Sequence, residues 1–137
     1  MSNLEDAPVN VKIKLAALWA ATTFCYIYGD YFELYVPGKL SGMLDGRMGP
    51  LGSVTQNVLL GASAMLAIPS LMVFLSVVLK ASLSRWLNIV FGGFFTVVML
   101  LVIRGAWNFY VFFGLVEIAL TSTIVWVSWK WPRSSNA

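Results

Sequence analysis

Of the six acidic residues in this chain, three, Asp30, Glu33 and Glu117, sit in or at the edge of apolar runs long enough to cross a bilayer. A charged side chain at the bilayer centre costs roughly 2.5 to 3.5 kcal/mol on insertion scales, so carboxylates in such places usually face a protein interior or mark a path. The chemistry they offer is reversible protonation, recognition of a cation, or a hydrogen-bonded grip on a polar ligand. At helical spacing, Thr23, Tyr26, Asp30 and Glu33 share one face, which is expected to turn toward protein. Tyr110, Gly114, Glu117, Thr121 and Ser128 form a corresponding stripe in the last apolar run, with Glu117 deepest. Ser84, Asn88, Gly92 and Thr96 recur at intervals of four, and Gln56, Ser63, Ala67 and Ser70 at intervals of seven, four and three.

Four such stripes can converge on one polar interior. The candidate residues for handling a ligand or ion are then Tyr26, Asp30, Glu33, Asn88, Arg104, Glu117 and Thr121. The competing reading of the uncharged members is packing, since small residues let helices approach while Ser, Thr, Asn and Gln bond across them. Glu117 fits packing less well, because Gln fills that role without an ionisable group in hydrocarbon. Arg104 is the expected partner of Asp30 or Glu33 on the same predicted side, either as a clamp or as part of a ligand site. Two carboxylates at a spacing of three do not define a metal site, and none is assigned.

Enzyme chemistry has little to stand on. The chain has no histidine, which removes imidazole ligation of haem or zinc, and its single cysteine, Cys25, forms neither an intrachain disulfide nor a paired-thiol redox centre. Neither a nucleophile elbow nor a phosphate-binding glycine loop is present. A noncatalytic protein without a cofactor is expected.

The elements that must position these residues follow from composition. The 137 residues are 59% hydrophobic and 11% charged, against about 25% charged in ordinary soluble domains. The expected fold is all-α, an integral membrane four-helix bundle forming one domain, with spans at about 14–35, 54–79, 86–103 and 107–129. The first span is read as retained, being longer than a signal sequence and followed by further spans. Pro69 favours a kink in span two. Lys80, Ser82, Ser84 and Arg85 read as a tight polar turn.

Residues 36–53 hold five glycines and two prolines and form the principal loop. Within it, the spacing of Leu40, Met43 and Leu44 allows a short helix at the membrane surface. Gly38, Gly42 and Gly46 read as turn chemistry, not a dimerisation face. The first ten residues and the segment after Trp129 are polar tails.

Nine basic residues against six acids give a net charge of +3, but the basic residues are scattered singly between apolar runs, which excludes a nucleic-acid surface. Six of them, Lys12, Lys14, Lys80, Arg85, Lys130 and Arg133, fall on the side of the termini, and Lys39, Arg47 and Arg104 on the other. That bias predicts a cell-membrane protein with both termini cytoplasmic. Trp19, Trp86, Trp107, Trp129 and Trp131 mostly lie near span ends, as an aromatic belt would. The partners expected are the lipid bilayer and a small or lipophilic ligand; association with further copies stays open.

The segments YIYGDYFELYVPG (26–38), IPSLMVFLSVVLK (68–80), SRWLNIVFG (84–92) and YVFFGLVEIALTSTIVWVSWKWP (110–132) together carry a resemblance over most of the chain. The chain resembles an uncharacterised family of short four-span prokaryotic membrane proteins, a domain of unknown function. The resemblance implies a four-helix integral membrane fold, broadly similar to small bundles such as the DoxX-like proteins, and brings no activity or catalytic residue. Three functions remain in view. The first is noncatalytic binding or movement of a small or lipophilic ligand, the second proton-coupled export, and the third a structural or accessory membrane subunit.

Overall fold

The computed structural model describes residues 3–135, so the outermost residues of both polar tails, 1–2 and 136–137, lie outside the described residues. The described chain is all-α, with five α-helices: α1 (Val11–Glu33), α2 (Lys39–Leu44), α3 (Gln56–Val78), α4 (Ala81–Val102) and α5 (Asn108–Trp129). A 3-10 turn covers Gly49–Leu51. Asn10 starts α1 by accepting the Lys12 backbone N–H at 2.9 Å, and Thr55 starts α3 by accepting that of Val58 at 3.1 Å. Each satisfies one of the backbone donors a helix leaves free at its first turn. α3 runs on through Pro69, which is buried.

Helices α3, α4 and α5 are 23, 22 and 22 residues long, and each holds an 18-residue stretch with mean hydropathy of 2.2, 1.8 and 1.8 respectively. At about 1.5 Å per residue, each is long enough for a hydrocarbon core of about 30 Å. Three such helices mark a membrane protein. α1 is as long as α3, but Lys12 and Lys14 at its start, Asp30 and Glu33 at its end, and the threonines and tyrosines between leave it outside that apolar set.

Only Leu79 and Lys80 separate α3 from α4, which forces an antiparallel hairpin. The expected polar turn over Lys80–Arg85 is therefore corrected, since helix resumes at Ala81 and not Trp86. The reason lies in the partners those polar side chains find inside: the buried Ser84 hydroxyl donates to the Ser76 carbonyl at 3.0 Å, and Arg85 reaches across to α5. α1 packs on α3 and α5, and α4 packs on α5 and α3, closing a ring of four long helices. One end of the ring gathers the start of α1, the end of α3, the start of α4 and the end of α5. There Lys12 Nζ donates to the carbonyls of Leu79 and Val77, while Arg85 Nε donates to the Ser128 carbonyl at 3.1 Å and stacks near Trp86 and Trp129. Two cations thus cap two helix C-termini, where the macrodipole favours positive charge.

The apolar core is Leu15 and Trp19 of α1, Met72 of α3, Phe95 of α4 and Ile124 of α5, with Trp19 edge-on to Phe95 at 6.1 Å. Trp19 therefore leaves the aromatic belt and belongs to the interior. Buried polar residues are as prominent as this core: Thr22, Ser76, Ser84, Asn88, Glu117, Thr121 and Ser128 are all nearly inaccessible. Large apolar side chains such as Leu60, Phe74, Leu101 and Phe112 point outward instead. An interior this polar under an apolar exterior suits hydrocarbon surroundings.

α4 and α5 pack tightly at two glycines. A Cβ on Gly92 would meet Val125 Cγ2 at 2.9 Å and the Thr121 carbonyl oxygen at 3.3 Å, and one on Gly114 would overlap Ile103 Cγ2.

Candidate functional site

The α4 and α5 stripes lie where their spacing puts them. Ser84, Asn88 and Gly92 are buried on α4, Gly114, Glu117, Thr121 and Ser128 on α5, while Thr96 and Tyr110 are half-buried. Two stripes need correction. On α1 the buried line is Leu15, Trp19, Thr22 and Gly29, so the carboxylate face is rotated by about one residue. Tyr26 still turns inward, Thr23 and Glu33 are half-buried, and Asp30 is exposed at the edge. On α3, Gln56, Ser63, Ala67 and Ser70 all face outward, and Pro69, Met72 and Ser76 face the interior. α3 is apolar on every side, so its small residues carry no orienting signal.

Asn88 holds the first polar cluster together. Its Oδ1 accepts from the Trp19 indole N–H at 2.7 Å and from the Ser76 hydroxyl at 3.2 Å, while its Nδ2 donates to the Ser84 carbonyl at 2.8 Å. The amide joins α1, α3 and α4 with donor and acceptor both engaged. Ser76 and Trp19 were missed as polar partners; Ser76 is recoverable only from its helical register with Pro69 and Met72.

The second cluster lies along the seam of α1 and α5. Glu117 is 3% exposed and its Oε2 is buried without a hydrogen-bond partner. The Tyr26 hydroxyl is likewise buried and unpartnered. Glu117 acts electrostatically on Cys25, Tyr26 and Tyr110, Asp30 acts on Glu117 and Tyr110, and Glu33 acts on Asp30 and Tyr110. The three carboxyl groups therefore form a ladder from the interior toward the outer end of α1. The backbone around Glu117 is pinned by Thr121, whose hydroxyl donates to the Glu117 carbonyl at 2.9 Å and meets the Thr96 hydroxyl at 2.7 Å.

At the top of the ladder, Lys39 Nζ lies 3.1 Å from Glu33 Oε1. This corrects the expected clamp by Arg104, which is exposed and has no ion pair among the described residues. The turn after α1 accounts for it. Gly38, with φ of +82°, takes a left-handed conformation that favours glycine and starts α2 so that Lys39 returns over Glu33. α2 carries exposed Leu40, Met43 and Leu44, the short helix that their spacing allowed.

Two surface concavities lie apart from Glu117. One of about 430 Å³ runs along α1 and α5 at the basic end, and one of about 350 Å³ at the other end is bounded by Phe32, Tyr35, Val36, Trp107, Phe109 and Phe113. Among the described residues, no group of three His, Cys, Asp or Glu side chains is placed to hold a metal ion. The arrangement can accept a proton, a cation or a hydrogen-bond donor at Glu117, with the Tyr26 and Tyr110 hydroxyls within its electrostatic range.

The model of a family of unknown function (DUF6326) matches residues 5–137. No curated protein and no solved structure matches the chain.

Proposed function

Since the chain belongs to DUF6326, a family of unknown function, we propose that it is a noncatalytic four-span membrane bundle that binds or moves a small or lipophilic ligand at the Glu117 site. In this reading α1 crosses the membrane with α3, α4 and α5, because it packs between two helices that are themselves long and apolar enough to span. Gathering Lys12, Lys14, Lys80, Arg85, Lys130 and Arg133 at one end supports cytoplasmic termini in a cell membrane.

One observation carries the functional reading: a carboxylate oxygen of α5 buried without a partner, within electrostatic range of a tyrosine hydroxyl of α1 in the same condition. A helix clamp would have its polar atoms paired, as Asn88 does. The ladder of Glu117, Asp30 and Glu33 has one ion-paired cation, Lys39, at its outer end. That balance favours a cationic or hydrogen-bond-donating ligand, and aromatic rings beside the carboxylates add cation–π attraction.

The test pairs a stability assay with binding of tetraphenylphosphonium, a lipophilic cation, to wild type and Glu117→Gln. Gln keeps size and hydrogen bonding but cannot ionise. The expected outcome is binding lost with thermal stability close to wild type. Stability lost with binding retained assigns Glu117 to packing and favours the accessory-subunit reading. Proton-coupled export is the result if uptake into proteoliposomes follows an imposed pH gradient and Glu117→Gln stops it. Reporter fusions at residues 1, 45, 82 and 137 test the topology, and a cytoplasmic residue 45 overturns it.

A further inference from the structure

We propose that the cytoplasmic half of the α1–α5 seam seats one anionic phospholipid, with an acyl chain in the apolar groove there and the headgroup held by Lys14. The groove, about 430 Å³, is lined by Ile13, Ala17, Leu18, Ala21 and Val127, with Lys14 on its rim. Ala17 and Ala21 open it, since a larger side chain at either position would fill the space between the helices. From Lys14 to Ala21 the groove runs roughly 10 Å along α1, at about 1.5 Å per residue, which is most of the depth of one leaflet.

Charge complementarity identifies the occupant. α1 begins with two lysines that do different things. Lys12 is committed to the carbonyls at the end of α3. Lys14 faces the opposite seam, exposed, and its ammonium has no ion-pair or hydrogen-bond partner among the described residues. Lys130 and Arg133 add positive charge at the same end of α5. A cation at headgroup level above an apolar channel matches a lipid with a negative headgroup; a zwitterionic lipid meets the same channel without the net attraction.

The inference rests on α1 crossing the membrane, but not on the role of Glu117. Native mass spectrometry of the detergent-purified protein, titrated with phosphatidylglycerol and phosphatidylcholine of identical chains, tests it. Wild type is expected to retain phosphatidylglycerol preferentially. Lys14→Gln should reduce that preference about fivefold, the contribution of one basic residue near an anionic surface, and Lys14→Arg should keep it. Ala21→Phe should abolish retention of both lipids; if that variant fails to fold, Ala17→Leu fills the same groove. Equal retention of the two lipids by wild type, or wild-type behaviour of Lys14→Gln, overturns the proposal. Reporter fusions separate the failures: residues 1 and 45 on the same side of the membrane sink the span itself, whereas lost lipid preference with intact topology sinks only the seat.

Discussion

Replacing Asn88 by alanine should be among the most damaging single changes in this protein. The amide accepts from Trp19 at 2.7 Å and from Ser76 at 3.2 Å, which are two bonds between helices, and donates within α4 to Ser84. Bonds between membrane helices average about 0.6 kcal/mol and reach about 1.7, so losing two costs about 1 to 3 kcal/mol. The alanine also strands the fully buried Trp19 indole N–H, and a buried donor without an acceptor adds about 1 to 3 kcal/mol. Since these ranges overlap in what they count, the expected loss is about 2 to 4 kcal/mol. Reversible unfolding in mixed micelles measures it. Trp19→Phe removes one donor while Asn88 Oδ1 keeps Ser76, so this change should be milder, and the double variant should be less damaged than the sum. Asn88→Ala within about 0.5 kcal/mol of wild type, or strict additivity with Trp19→Phe, refutes the reasoning.

Gly114→Ala should destabilise by about 1 to 3 kcal/mol, because its methyl would overlap Ile103 and approach Met99 Sδ at 3.3 Å. Adding Ile103→Ala should recover part of that loss in the same assay, and no recovery would place the strain elsewhere. Arg104→Ala should leave stability near wild type and be additive with Glu33→Gln, whereas Lys39→Ala should couple to Glu33→Gln by no more than about 1 kcal/mol, a partly exposed pair being screened by solvent. Coupling of Arg104 to Glu33 would restore the clamp that the geometry denies.

What could be read ahead of the structure depended on how strongly each helix distinguishes its faces. In α4, small and polar residues at intervals of four stand among large apolar ones, so Ser84, Asn88 and Gly92 identified the inner face. Glu117 marked α5 in the same way. α3 gives no such contrast, and its serines could be assigned to either face; Ser76, flanked by Leu75 and Val77, was indistinguishable from Ser63 and Ser70. The start of α4 was misplaced because serine and arginine signal a turn only when their hydrogen bonds lead to water, and here they lead to α3 and α5. Counting basic residues placed Arg104 on the side of Glu33, but could not place the two side chains within reach. Lys39 wins through a local backbone reversal that charge counts do not contain.

The partners of α1 also bear on the order in which the chain is assembled during synthesis. Trp19 meets Asn88, 69 residues later, and Lys12 caps the end of α3, 67 residues later. α1 leaves the ribosome before the other three long helices and is the least apolar of the four, so it is made before any of these contacts exists. Its final seating must wait for α3 and α4, which form their own hairpin across two residues. A nascent chain halted before Asn88 emerges should therefore leave α1 loosely held and open to protease or to quality-control machinery. One halted after α5 emerges should protect it.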